Sequence, residues 1–246
     1  MTRRVEVRDL GRMDYKPCWD FQEEVFQGMV KAKIARRNAG LSTTDPGPDG
    51  QPDLALPLSH MYWVEHPHVL TLGKSGAAAN VVAPPDRLAE LGVQYYPINR
   101  GGDITYHGPG QLVGYPILDL DQFFTDIHKY LRFLEEAVIR TCAEYGIVAG
   151  RIEGLTGVWI EPEAGASARK ICAFGVKCSR WVTMHGLALN VNTDLDFFNL
   201  IVPCGIADRG VTSLARETGG LVDLDEVKAH MTRHLAELFE WEPVAL

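Results

Sequence analysis

The chain has 246 residues, of which 46% are apolar and 23% charged. That suffices for a full globular core, and no apolar run approaches the roughly 18 residues of a membrane span. With 32 acids against 24 bases the formal charge is −8, which argues against a broad electrostatic grip on nucleic acid.

The first nine residues lack the apolar stretch of a secretory signal, and an acid stands at position 6. A cytoplasmic protein is expected. A short strand near Val5 leads into a helix whose apolar face is Cys18, Phe21, Val25 and Met29, with Gly40 as its stop. Seven glycines and prolines fall between 38 and 57, so a long, flexible surface loop is expected there. Short apolar or β-branched runs then predict strands at 61–64, 69–72, 94–98, 103–107 and 112–118. A short helix opens near Pro85, holds Leu88 and Leu91, and stops at Gly92. Ile127, Leu131, Leu134, Val138 and Cys142 mark the clearest helix, closed by Gly146. A second strand cluster, 156–193, contains a hairpin expected to turn at Cys178-Ser179-Arg180. The last helix opens at Asp223, with Glu226 three later, and buries Val227, Met231, Leu235 and Leu238. Irregular alternation of strands and helices predicts an α/β fold of the α+β kind. The expected form is one domain over 1–246, with a mixed or antiparallel sheet flanked by helices.

Three stretches are dense in chemical groups. The first is Arg100-Gly101-Gly102-Asp103-Ile104-Thr105-Tyr106-His107-Gly108-Pro109-Gly110-Gln111. Its glycines suit a backbone that approaches a ligand closely, or equally a glycine-rich hairpin around a satisfied histidine. It matches neither a dinucleotide fingerprint nor a P-loop. In the second, Lys170 leads an apolar strand and shares a face with Cys172 and Phe174 if the two-residue period holds. A lysine there is either a solvated strand end or a group facing a pocket. In the third, Pro203 and Gly205 bracket Cys204 on a constrained turn, outside any core periodicity. It is open whether that thiol is reactive or a small buried hydrophobe. The five cysteines (Cys18, Cys142, Cys172, Cys178 and Cys204) are too few, and odd in number, for a disulfide framework. They read as reduced thiols.

Together these stretches resemble the lipoyl(octanoyl) transferases. The carrying motifs are Arg100-Gly101-Gly102-x-x-Thr105-Tyr106-His107-Gly108-Pro109-Gly110-Gln111, Lys170-Ile171-x-x-x-Gly175, His185-Gly186-Leu187-Ala188-Leu189-Asn190, Pro203-Cys204-Gly205 and Gly210-Val211-Thr212-Ser213-Leu214. The resemblance is strong over 60–215. It implies a fold akin to the catalytic domains of biotin and lipoate protein ligases. It also implies an acyltransferase in which Cys204 is the acyl-thioester nucleophile and Lys170 its activating partner. Arg100, Gly101, Gly102, Asp103, Ile104, Thr105, Tyr106, His107, Ala173, Phe174, Gly175, Gly186, Leu187 and Ala188 would line the acyl-substrate site. The implied donor is octanoyl-acyl carrier protein. The implied acceptors are lysines on the lipoyl domains of 2-oxoacid dehydrogenases and on the glycine cleavage H protein. No cofactor, metal, nucleic acid or membrane is called for.

The implied chemistry is physically coherent. A thiol of pKa about 8.5 is mostly protonated at neutral pH, and an ammonium within about 4–6 Å favours the thiolate. Exchange of one thioester for another needs no ATP, and passage to an amine is downhill. An eight-carbon chain in an apolar slot would gain roughly 5 kcal/mol. An acidic carrier needs a local basic patch, for which Lys31, Lys33, Arg36 and Arg37 are candidates. Two other readings compete: an ATP-dependent lipoate–protein ligase of the same fold, which needs no cysteine, and a non-catalytic acyl- or carrier-binding module. A metal enzyme is disfavoured. His66 and His68, and the expected-solvated pair His230 and His234, lie in no metal-binding pattern.

Overall fold

The fold is described from a computed structural model, for residues 3–42, 47–48, 51, 54–161, 167–202 and 210–244. The chain runs through β1 (Arg3–Arg12), α1 (Tyr15–Asn38), β2 (Ser59–Glu65), β3 (Val69–Leu72), α2 (Pro85–Glu90), β4 (Gln94–Pro97), β5 (Ile104–His107) and β6 (Gln111–Ile117). It continues through α3 (Ile127–Glu144), β7 (Ala149–Ile152), β8 (Leu155–Ile160), β9 (Arg169–Ser179), β10 (Val182–Asn190), β11 (Gly210–Val211), α4 (Leu214–Thr218), α5 (Leu224–Phe239) and β12 (Trp241–Val244). Among the described residues the main sheet has the order β12-β1-β2-β6-β10-β9-β8-β7, with β11 added beside β9. A second sheet has the order β4-β3-β5.

The large sheet is mixed, as expected; the smaller one, in which β3 pairs parallel with β4 and antiparallel with β5, is mixed too and was not expected. In the large one β1 pairs parallel with β12 and β2, while β2, β6, β10, β9, β8 and β7 pair antiparallel in succession. Alternation along β2 shows how the sheet separates two cores. Met61 and Trp63 pack on the α3/α5 face, and Tyr62 and Val64 on the α1 face. The α3 face is built on Tyr130, Leu134, Val138 and Cys142, and that of α5 on Val227, Met231, Leu235 and Phe239. Cys18, Phe26 and Met29 of α1 cover the opposite face. Asp126 caps α3 through the amides of His128 and Lys129, and Asp223 caps α5 through that of Asp225.

Several expectations shift in detail. The first strand is ten residues long because it pairs on both sides, a tertiary effect with no local signal. The β9–β10 hairpin turns at Arg180-Trp181, both with positive φ (51° and 62°), one residue beyond the expected turn. Helix α1 ends at Asn38, and Gly40 follows with φ 73°. Within the loop expected at 38–57, positions 43–46, 49–50 and 52–53 lie outside the described residues. His234 is buried, not solvated: its Nε2 lies 3.1 Å from Glu144 of α3.

Candidate active site

The two sheets and α1 enclose a cavity of about 440 Å³. Lys170 lies towards one end of the β9 wall, and Arg100 and His185 stand opposite Gly175 and Val176 towards the other. Of the fourteen residues expected to line an acyl site, thirteen line this cavity: Arg100, Gly101, Gly102, Asp103, Ile104, Thr105, His107, Ala173, Phe174, Gly175, Gly186, Leu187 and Ala188. Tyr106 is the exception. Strand alternation turns it away from its neighbours Thr105 and His107, into the core of the smaller sheet. There it is fully buried, stacks on Phe197, and its hydroxyl lies 2.8 Å from His68 Nδ1.

The glycine-rich segment is held against β9. The Gly101 amide donates to the Val176 carbonyl at 2.9 Å. Arg100 is buried and donates through Nη2 to the carbonyl (2.7 Å) and hydroxyl (3.0 Å) of Thr71 on β3. A Cβ at Gly175 would lie 2.6 Å from Arg100 Cδ and 3.0 Å from the Gly101 carbonyl, so only bare backbone lets this segment approach.

Lys170 sits at the pairing of β9 with β8 and β11, opposite Trp159 and Val211. Its Nζ lies over the Trp159 ring at 4.6 Å, a cation–π contact. The expected common face of Lys170, Cys172 and Phe174 does not carry through. Trp159 faces Lys170 while its neighbour Val158 faces Cys172, so β9 bulges by one residue between them. Lys170 and Phe174 line the cavity, whereas Cys172 is fully buried in the main core. Burial pushes its thiol well above the ordinary value, which removes Cys172 as a rival nucleophile. Cys18 and Cys142 are likewise buried and pushed up to about 12, while Cys178 is exposed at the far end of the hairpin. Cys204, with Pro203 and Gly205, lies outside the described residues.

Sequence reasoning passed over several cavity residues. His107 Nδ1 lies 2.8 Å from Gln111 Oε1, and Gln111 Nε2 donates to Asn190 Oδ1 at 2.9 Å. Asn190 donates to the Thr212 carbonyl, and the Thr212 amide to that of Lys170. A continuous polar chain thus ties the glycine-rich segment to the strand bearing Lys170. His185 adopts φ 61° within β10, is 2% exposed, and its Nε2 lies 2.7 Å from Asn99 Oδ1. Its Nδ1 has no hydrogen-bond partner among the described residues. Burial, with Arg100 and Lys177 nearby, holds His185 at about 3. Burial, with His66 next, does the same for His107, and His66 itself is held at about 4. All three are neutral at physiological pH. Gln111, His185 and Asn190 lie inside the quoted motifs and could have been read there. Tyr15, Leu131 and Trp159 come from distant elements and carry no local signal.

The basic patch proposed near the end of α1 is half consumed internally. Lys33 pairs with Asp119 and, at 2.8 Å, with Asp121. Arg36 is buried and donates to the carbonyls of Leu54 and Ser42. Lys33 borders Arg180 and Trp181, at the hairpin end farthest from Lys170: nine residues along β9, or about 30 Å.

Comparison with known proteins agrees with this architecture. The family model described as the lipoyl protein ligase A/B catalytic domain matches residues 44–236. An octanoyltransferase of Flavobacterium johnsoniae is 55% identical over 99% of this chain and 100% of its own length. One from Cytophaga hutchinsonii is 52% identical over 97% and 94%. Among solved structures, the bipartite lipoate protein ligase of Thermoplasma acidophilum superimposes with a TM-score of 0.66 at 18% identity, covering 100% of this chain and 87% of that one. A lipoate-protein ligase A bound with ATP gives 0.63 at 18% identity, covering 100% and 90%, so the fold is shared where the sequence has diverged. The chain therefore belongs to the lipoyl protein ligase A/B catalytic-domain family, among its octanoyltransferases.

Proposed function

We propose that this chain moves an octanoyl group from acyl carrier protein to a lysine of lipoyl-bearing acceptor domains, through a thioester on Cys204. The single observation that carries this reading is the placement of Lys170. It lines the apolar cavity beside β11, and Cys204 stands only six positions before Gly210, itself a lining residue. Six residues of chain span at most about 20 Å, a length compatible with a meeting of thiol and lysine.

In the first half-reaction the ammonium of Lys170 favours the Cys204 thiolate, which attacks the carrier thioester. The carbon–sulfur bond to the carrier breaks, and the departing thiol takes its proton from Lys170. In the second, neutral Lys170 accepts a proton from the incoming acceptor amine as the amide forms and Cys204 leaves. Asp103, Thr105, His107 and the glycine backbone form the wall against which the substrate packs. Ala173, Phe174, Leu187 and Ala188 cover its alkyl chain. The whole of 1–246 acts as one catalytic unit, and the cytoplasm, which keeps the thiol reduced, is its place of action. No described helix is long and apolar enough to cross a membrane.

Intact mass after incubation with octanoyl-acyl carrier protein tests this reading. An octanoyl adduct is expected, lost on Cys204→Ala and formed more slowly on Lys170→Met. Transfer at the wild-type rate by Cys204→Ala, or transfer that requires magnesium–ATP, would overturn it.

A further inference from the structure

Resting on the transferase reading above, we infer that Trp159 is a positioning residue of the reaction: its indole face fixes the Lys170 side chain and favours its charged form. On β8, Val158 and Ile160 pack in the α3/α5 core, and Trp159 between them faces the cavity. Val158 lies opposite Cys172. Regular pairing from there would set Ile171 opposite Trp159 and Lys170 opposite Ile160, on the core face. The bulge in β9 prevents this. Ile171 and Cys172 both turn into the core, and Lys170 comes opposite Trp159 on the cavity face.

Gly157 completes the cradle. A Cβ on it would stand 3.0 Å from Lys170 Cε and 3.2 Å from Trp159 Nε1, so bare backbone leaves room for the lysine stem beside the indole. The Gly157 amide donates to Glu135 Oε1 of α3 at 3.3 Å. Glu135 is fully buried and is held by Arg151 Nε and Arg132 Nη1, each at 2.9 Å. The strand beneath the lysine is thus tied to a helix.

Trp159 is 1% exposed, so water does not compete for the face that lies 4.6 Å from Lys170 Nζ. The ring quadrupole attracts an ammonium and not a neutral amine, and so offsets the apolar walls, which disfavour charge. That bias serves both half-reactions: the ammonium supports the thiolate and protonates the departing thiol, and neutral lysine draws a proton from the incoming amine. Among the described residues, the charged groups on the flanking elements are already paired, Glu135 with Arg132 and Arg151, and Glu217 of α4 with Arg169. Arg100, Asp103, His107 and His185 also line the cavity. Substitution of Trp159 leaves all of them in place.

The test reads Lys170 directly. In the full chain labelled with ¹³C-lysine, the Lys170 Cε–Hε signal is identified by its absence from Lys170→Arg. Ring current should displace it upfield in the wild type, and Trp159→Leu should remove the displacement. Its titration midpoint should fall by about one pH unit in Trp159→Leu, and by less in Trp159→Phe, which keeps a smaller π face. The alkaline limb of kcat should move the same way, with KM for the octanoyl carrier within about twofold of wild type. A merely structural tryptophan would lower stability and leave the midpoint where it was. An undisplaced wild-type signal, or an unmoved midpoint in folded Trp159→Leu, would overturn the inference. If Trp159→Leu does not fold, the wild-type signal and Trp159→Phe still decide the matter. A displaced signal in a wild type that transfers no octanoyl group would instead count against the transferase reading and leave the lysine cradle standing.

Discussion

Lys33 offers a test that separates a structural lysine from a docking one. It reaches from α1 to the segment after β6, where its side chain is only 11% exposed and that of Asp119 only 2%. Asp119 also accepts from Gln122 Nε2 (3.2 Å) and the Asp121 amide (3.3 Å), and Asp121 faces the same ammonium at 2.8 Å. Lys33→Met removes the cation and leaves a buried carboxylate without its counter-charge. Breaking a buried pair from one side typically costs 3–5 kcal/mol, and the two remaining hydrogen bonds place this case near about 3. For a chain of this length that lowers Tm by roughly 6–12 °C. Scanning calorimetry of wild type and variant measures it. The double variant Lys33→Met, Asp119→Asn should recover part of the loss, because the more deeply buried carboxylate is gone and only the more exposed Asp121 is left without its counter-charge. A variant that melts within about 2 °C of wild type, yet receives octanoyl groups poorly from the carrier, would refute this account and restore Lys33 as a docking residue.

Two further predictions follow from the cavity. Gly157 has φ 140°, and a Cβ there would lie 3.0 Å from Lys170 Cε and 3.2 Å from the Cys172 carbonyl. Gly157→Ala should displace Lys170 and lower kcat roughly tenfold to a hundredfold with little change in KM, as steady-state kinetics would show. His66, His107 and His185 are held at about 4, 3 and 3 by burial, against 6.5 in the unfolded chain. The unfolded chain therefore binds more protons as pH falls below about 6.5, and stability declines from there towards about pH 4. Each histidine contributes up to about 1.4 kcal/mol per pH unit in that window. Urea midpoints near pH 7 and pH 5 should differ, and His107→Asn should reduce the difference; equal midpoints in the wild type would contradict this account.

Much of the fold was legible because local signals and burial agree. The i, i+4 stripes of α3 and α5 and the short β-branched runs of β2, β3 and β6 survive with shifts of a residue or two at their ends. What escaped detection depends on partners far along the chain. β12 exists because β1 offers it an edge, and Lys170 parts from the face of Cys172 because β8 imposes a bulge. The site followed the same rule. Motif residues could be named from sequence, but which of them face inward could not, and Tyr106 shows the difference. Its neighbours Thr105 and His107 share the cavity, while its own ring packs behind them.

The exposed Cys178 has a bearing on every thiol-directed experiment with this protein. Among the described cysteines it alone is open to reagents, and burial still raises its thiol above the ordinary value. Mildly acidic alkylation would therefore leave it largely unmodified while labelling a thiol activated by a neighbouring ammonium. At alkaline pH it becomes an attachment point for a spectroscopic label. Eight residues along β9 from Lys170, or roughly 26 Å, such a label would report on the hairpin tip without entering the cavity lined by Lys170.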